Sequence, residues 1–254
     1  MATALVTGAS SGLGEEFAWQ LAAAGHDVVL VSRSRDRLSE VAHLLEGATG
    51  RTAEILPADL TTEKGRTAVA ARLQQQDAPV SLLVNNAGFG IGEPVTSSSW
   101  RREKALLDIH VTAPLRLAHA AIPGMVERGH GAILNVSSVA AHLANTTYAA
   151  HKRWAVDFTQ VLAGQLAGTG VTATAVLPGL VRTHFHDDDA LSHMRHEFPE
   201  PVWLDPERVV TSALAAVRRG QTVVTPSPGY AVAGAVLRAV PRRLTRGRRS
   251  HQDR

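Results

Sequence analysis

A chain of 254 residues is long enough to bury a substantial core and still form one α/β domain. Its 44% hydrophobic and 19% charged content is ordinary for a soluble globular protein, and its lack of cysteine excludes disulfides, iron–sulfur clusters and cysteine-based zinc sites. Seven arginines against one aspartate give the segment from Arg238 onward a charge of +6; the rest carries −3 of the total +3, which argues against a nucleic-acid-binding face in the body of the fold.

The first strand is expected at Thr3–Thr7. Ala2–Thr7 leads straight into a glycine loop, with no basic stretch ahead of an apolar one, and no run approaches the roughly 20 apolar residues of a membrane span. A cytoplasmic location is the expectation. Short β-branched runs at Asp27–Ser32, Thr52–Pro57, Val80–Asn85, Ala132–Val136, Val171–Leu177 and Thr222–Val224 predict six more strands. Most are continuously apolar, as strands buried on both faces of a parallel sheet require. Amphipathic patterns predict helices over Glu15–Ala24, Asp36–Leu45, Thr67–Gln75, Trp100–Arg128, Tyr148–Leu166 and near Pro206–Val217. Gly25 is placed for a left-handed cap after the first helix. About seven strands alternating with helices imply an α/β, single-domain, Rossmann-like, doubly wound parallel sheet.

Two segments break the rhythm. His184–Leu204 is polar and rich in His, Asp and Pro; it reads as a lid-like substrate insertion, or else as a solvated loop. Ala231–Arg254 begins like an apolar helix and ends in PRRLTRGRR. Residues 1–230 are thus expected to form one domain, which the motifs below mark as dinucleotide-binding and catalytic, and 231–254 a basic C-terminal helix and tail. The tail reads as solvated, with weak contact to an anionic membrane surface as the alternative.

Three groups of residues carry chemistry. The first strand ends in Thr7-Gly8-Ala9-Ser10-Ser11-Gly12-Leu13-Gly14 and a helix follows at once. Glycines there permit a tight turn and close backbone approach to a diphosphate, while the helix start supplies unpaired N–H groups and a positive dipole end. Ser10 and Ser11 add hydroxyl donors. The second group follows the second strand, where Ser32-Arg33-Ser34-Arg35-Asp36-Arg37 puts arginine at the point that discriminates the adenosine ribose. An acidic residue there suits a 2′-hydroxyl, whereas the guanidinium fork of Arg33, helped by Arg37, suits a 2′-phosphate. The third is Tyr148 with Lys152, four apart and on one helix face together with Ala155, Leu162 and Leu166. A free tyrosine has a pKa of about 10 and is a poor proton donor or acceptor at neutrality; a nearby ammonium lowers it.

These residues, with Asn85-Asn86-Ala87-Gly88 after the fourth strand, Tyr148-Ala149-Ala150-His151-Lys152, Ser138 upstream and Pro178-Gly179 after the sixth strand, resemble the short-chain dehydrogenase/reductase family over nearly all of Ala2–Val224. The resemblance implies an NADP(H)-dependent oxidoreductase acting on a small-molecule carbonyl/alcohol pair. Tyr148 would be the general acid/base, Ser138 would orient the substrate oxygen, and Lys152 would lower the tyrosine pKa and hold the nicotinamide ribose. It further implies cofactor contacts from Gly8, Ser10, Ser11, Gly12, Leu13 and Gly14, from Ser32, Arg33 and Arg37, and from Asp59 (to the adenine amino group) and Leu60. Asn86, Ala87 and Gly88, then Pro178, Gly179, Val181 and Thr183 (to the nicotinamide amide), complete the set. No metal is implied, although His184, His186, Asp187–Asp189, His193 and His196 include zinc-compatible spacings. Relatives suggest a homodimer or homotetramer joined through the helices bearing the tyrosine.

Two departures stand out. Ser138 precedes Tyr148 by ten positions, a shorter interval than in many relatives, which is expected to open the mouth of the site. His110, in Asp108-Ile109-His110-Val111, occupies the position of an asparagine that helps hold water linking the lysine to solvent. It is expected to serve the same relay and, because imidazole titrates near neutrality, to make activity pH-sensitive. A packed histidine is the alternative, and a regulatory protein that binds NADPH with little or no turnover is the alternative for the whole chain. Phe89, Ile91, Leu143, Phe185 and Trp203 would suit an apolar or amphipathic substrate.

Overall fold

The computed structural model describes residues 2–183 and 198–239. Seven parallel strands form one sheet: β1 (Thr3–Thr7), β2 (Asp27–Ser32), β3 (Ala53–Pro57), β4 (Val80–Asn85), β5 (Gly131–Val136), β6 (Val171–Val176) and the two-residue β7 (Val223–Val224), in the order β3-β2-β1-β4-β5-β6-β7. The order reverses between β1 and β4. At such a switch point the two connecting helices leave on opposite faces and a crevice opens beyond the carboxyl ends of the strands.

Strand side chains alternate between two apolar layers, as the two-residue period of a strand dictates. Ala4, Val6, Val28, Leu30, Leu82, Val84 and Leu134 pack on one face beneath α1 (Gly12–Ala23), α2 (Arg35–Thr49) and α7 (Pro206–Arg218). Leu5, Val29, Val31, Leu83 and Ile133 pack on the other beneath α3 (Glu63–Leu73), α5 (Ala113–Glu127) and α6 (Thr147–Gln165). Gly25, just past α1, has φ of 92° and so takes the left-handed conformation expected of it. Among the described residues no helix is long and apolar enough to cross a membrane.

The expected single helix over Trp100–Arg128 divides into α4 (Trp100–Leu107), a π turn over Asp108–Thr112, and α5. Pro114 lies in the first turn of α5 and has no N–H for the carbonyl of His110, four residues back. The extra residue of a π turn absorbs that missing bond. The expected boundary after residue 230 falls inside α8 (Pro228–Ala239), which packs on the 3₁₀ turn Val139–His142 and closes against it where Gly234 meets the His142 ring. Residues 184–197 and 240–254, including the zinc-compatible histidines and most of the arginine tail, lie outside the described residues.

Candidate active site

A cavity of about 850 Å³ opens at the carboxyl edge of the sheet. At one end it is lined by Gly8, Ser10, Ser11, Gly12 and Leu13, with Ser32, Arg33, Asp59 and Leu60 beside them. Asn86, Ala87 and Gly88 lie along it, as do Ser138, Tyr148 and Lys152. Pro178, Gly179, Val181 and Thr183 form a further part of the wall. Of the residues expected from the sequence, Gly14, Arg37 and His110 do not line it.

Gly14 acts from behind. A Cβ there would sit 2.0 Å from the carbonyl oxygen of Gly8, so only glycine lets α1 start this close to the turn. Gly8 and Gly12 have φ of 71° and 58°, which side-chain-bearing residues rarely adopt. Ser11 is the N-cap of α1, yet its side chain makes no capping bond. The first-turn N–H groups therefore keep their capacity to bind an anion in the cavity, and the cradle fits a diphosphate. Arg33 is exposed and forms no ion pair among the described residues. Arg37 instead pairs with Glu40 on the exposed side of α2, away from the cavity. Asp59 lines the wall with Oδ1 held by the backbone N–H and hydroxyl of Thr61, at 2.9 and 2.7 Å.

The segment after β4 is tied to β1. Thr7 Oγ1 donates to the Val84 carbonyl at 3.1 Å and accepts from the N–H groups of Asn86 and Ala87, while Asn86 Nδ2 donates to the Thr7 carbonyl at 2.9 Å. A second set of bonds, absent from the sequence reading, runs through the core. Asn85 Nδ2 donates to Asn135 Oδ1, Asn135 Nδ2 to Thr159 Oγ1 (both 2.9 Å), and Thr159 Oγ1 to the Ala155 carbonyl at 2.6 Å. Three buried polar side chains thus link β4, β5 and α6. The available signal was an amide in the middle of the apolar strand β5, a residue that burial tolerates only with partners.

Thr146 starts α6 by accepting the Ala149 N–H, which places Tyr148 in the first turn. One turn on, Lys152 is buried; its Nζ donates to the Val136 carbonyl at 2.8 Å and lies 5.5 Å from the Tyr148 ring centroid. Ser137 Oγ donates to the Lys152 carbonyl at 2.6 Å, so this serine fastens the helix to β5. Ser138 caps the following turn and hydrogen-bonds Tyr148. The two neighbouring serines therefore have separate tasks. Burial lowers the Lys152 pKa to about 7. Burial also raises that of Tyr148, with only the Ser138 hydrogen bond opposing it. In the polypeptide alone the expected lowering of the tyrosine by the ammonium is therefore not met, because desolvation acts on both groups.

His110 is buried within the π turn. Its Nε2 lies 2.8 Å from the Phe89 carbonyl, an acceptor, so Nε2 carries the proton and the ring is the Nε2–H tautomer. The ring meets Tyr148 edge-on, centroids 5.3 Å apart. A Cβ on Gly88 would lie 2.4 Å from its Cε1, which accounts for glycine there. Burial first, then the nearby Lys152 charge, hold its pKa well below the usual imidazole value. The expected titration near neutrality is thus corrected: burial and the Lys152 charge favour the neutral imidazole there, and its hydrogen bond ties the π turn to the segment after β4.

The apolar walls include Phe89, Ile91 and Leu143, as expected, and Leu180, Phe198 and Leu237, which the sequence did not single out. Trp203 is instead buried away from the cavity, its indole N–H donating to the Phe198 carbonyl at 3.2 Å. Phe185 lies outside the described residues.

Residues 2–192 match the family model for short chain dehydrogenases. The chain belongs to this family. An oxidoreductase of Staphylococcus saprophyticus, described as uncharacterized, is 30% identical over 219 residues, covering 85% of this chain and 91% of that protein. A short-chain dehydrogenase from Sphingobium yanoikuyae, solved in complex with NADPH, superposes with a TM-score of 0.86 at 32% identity and covers 100% of this chain and 99% of its own. The bulky-bulky ketone specific alcohol dehydrogenase from Comamonas testosteroni superposes at 0.80 with 30% identity, covering 100% of this chain and 97% of its own. As a short-chain dehydrogenase, the protein is an oxidoreductase of the class acting on alcohols and ketones with a nicotinamide cofactor.

Proposed function

We propose that this short-chain dehydrogenase interconverts an apolar or amphipathic ketone and its alcohol with NADP(H), with Tyr148 as the general acid/base. The observation that carries this reading is one cavity with the glycine cradle at one end and Ser138, Tyr148 and Lys152 in its wall. Bound there, the nicotinamide supplies or accepts the hydride.

The Gly8–Gly14 turn and the first N–H groups of α1 hold the diphosphate, Arg33 the 2′-phosphate, and Asp59 the adenine amino group beside Leu60. Arg37, paired with Glu40, adds only to the surrounding field. Asn86, Ala87 and Gly88 pass beside the cofactor, and Pro178, Gly179, Val181 and Thr183 border its nicotinamide end. Lys152 binds the ribose. Ser138 orients the substrate oxygen, and Tyr148 donates its Oη proton to that oxygen in reduction and takes one back in oxidation. His110 serves as a positioning residue behind Tyr148.

NADP(H) is favoured by Arg33 and by the NADPH held in the Sphingobium relative. The apolar walls and the ketone named for the Comamonas relative favour a bulky substrate. Exposed Leu107, Leu115 and Val161 (40, 47 and 53%) on α4, α5 and α6 favour a homodimer or homotetramer. Residues 1–230 with α8 form the catalytic unit, Phe198 brings the described part of the 184–204 insertion to the cavity, the remaining tail is basic, and the setting is the cytoplasm.

The test is consumption of NADPH by the purified chain with a panel of ketones and aldehydes, repeated with Tyr148→Phe. Turnover by the wild type and a loss of about 10²–10⁴-fold in the variant are expected. NADPH binding without turnover of any panel member would replace this reading with the regulatory one.

A further inference from the structure

The chain has two tyrosines, and the second belongs to none of the motifs above. Tyr230 stands in the first turn of α8. Its ring packs against Gly179 so closely that a Cβ there would lie 2.2 Å from ring carbons Cε2 and Cζ. Its hydroxyl accepts the Leu180 N–H at 3.2 Å and donates to the Val202 carbonyl at 3.0 Å. A phenol has one proton to give and lone pairs to receive one, and here both capacities are used.

One side chain thus joins three parts of the chain: the segment after β6, the 3₁₀ turn Glu200–Val202 and α8. The segment after β6 is also paired through the backbone with Leu204, just past that turn: Leu204 N–H bonds the Leu180 carbonyl at 2.8 Å and Arg182 N–H the Leu204 carbonyl at 3.0 Å. Arg182 adds ion pairs to Asp205 and Glu200, but these are exposed and contribute little. Tyr230 fastens the inner side, where it lines the cavity together with Gly179, Leu180 and Leu237. On its other flank α8 rests on the turn that follows Ser138. The helix therefore spans the two walls between which a substrate oxygen on Ser138 would lie.

We propose that Tyr230 is a positioning residue that sets the width of the apolar end of the cavity and thereby decides whether a ketone with two large substituents is accepted. It rests on the carbonyl-site reading given above. Removing the hydroxyl leaves the ring on Gly179 but breaks the bridge from the Leu180 N–H to the Val202 carbonyl. The Leu180–Leu204 and Arg182–Leu204 backbone bonds are left to hold the wall, which is loosened without touching the groups that transfer the proton.

The experiment compares full-length wild type, Tyr230→Phe and Leu237→Ala, with NADPH, on a diaryl ketone and a short aliphatic aldehyde. NADPH affinity and melting temperature are measured alongside. For Tyr230→Phe the KM of the diaryl ketone is expected to rise about 10-fold with kcat, NADPH affinity and aldehyde kinetics within about twofold of wild type. Leu237→Ala widens the same wall and is expected to raise the ketone-to-aldehyde ratio of kcat/KM. A ratio unchanged in both variants overturns the proposal, whether activity is untouched or falls equally for both substrates with a lowered melting temperature. Failure of the wild type to turn over either carbonyl is a separate outcome: it overturns the carbonyl-site reading, and this inference with it.

Discussion

Lys152 holds its ammonium against the Val136 carbonyl inside the protein, and burial takes its pKa from 10.5 to about 7. Between those values the unfolded chain binds a proton that the folded chain does not, so the stability of the cofactor-free protein rises with pH across that window. The full penalty of the buried charge applies below about pH 7. Lys152→Met is therefore expected to melt above wild type at pH 6, with the difference shrinking by pH 9. Melting curves without cofactor test it, and an equal difference at both pH values would refute it. Arg33 invites a second measurement. A hydrogen-bonded pair with a charged group contributes about 1.5–3 kcal/mol, so Arg33→Ser is expected to weaken NADPH about 10–100-fold while leaving NADH unchanged; equal losses for both cofactors count against a 2′-phosphate contact. At this scale the sequence was informative wherever a residue's type and spacing sufficed, as for Tyr148, Lys152 and the glycines. It misjudged His110, because an imidazole's titration depends on its burial and on Lys152, a residue 42 positions away in the chain.

Between elements, buried polar groups do the fastening. Asn135 sits at the centre of the bonds joining β4 to α6. Asn135→Leu would leave Asn85 and Thr159 without those partners, each costing about 1–3 kcal/mol. A fall in chemical-denaturation midpoint with the slope preserved is the expected signature. Arg66 of α3 and Asp108 at the head of the π turn are both buried; Arg66 Nη1 donates to the Leu60 carbonyl at 3.0 Å and lies 3.7 Å from Asp108 Oδ1, while Lys104 reaches Asp108 Oδ2 at 2.5 Å. Truncating Asp108 to alanine removes one of the two carboxylates facing Arg66 and the partner of Lys104, and is expected to cost about 1.5–3 kcal/mol. A loss below 1 kcal/mol would show that Glu63, already paired with Arg66, compensates. Strand positions were legible because buried parallel strands are continuously apolar. The π turn was not, since the helical pattern runs on through it and only Pro114 marks where a backbone bond must fail.

Over the whole molecule, the sheet order turns a linear string of motifs into a single cavity. The glycine cradle after β1 and the segment after β4 become neighbours because these strands pair at the switch point. That much follows from alternating strands and helices. The role of α8 does not: its residues look like the start of a tail, and only its packing on the 139–142 turn brings Tyr230 and Leu237 to the cavity. The homodimer or homotetramer proposed above would cover the exposed Leu107 of α4 and Leu115 of α5. Leu115→Lys combined with Leu107→Lys is expected to lower the molecular mass in light scattering to that of one chain, and an unchanged mass would place the contact elsewhere.

The late position of α8 also bears on biosynthesis. The Gly8–Gly14 turn stands near the start of the sequence, yet the cavity wall, among the described residues, runs on to Leu237. At ribosomal speeds of about 5–20 residues per second, roughly 10–45 s separate the two. Throughout that interval the nascent chain carries the glycine turn without an enclosed cavity, and among the described residues the wall is completed only once α8 has emerged from the ribosome.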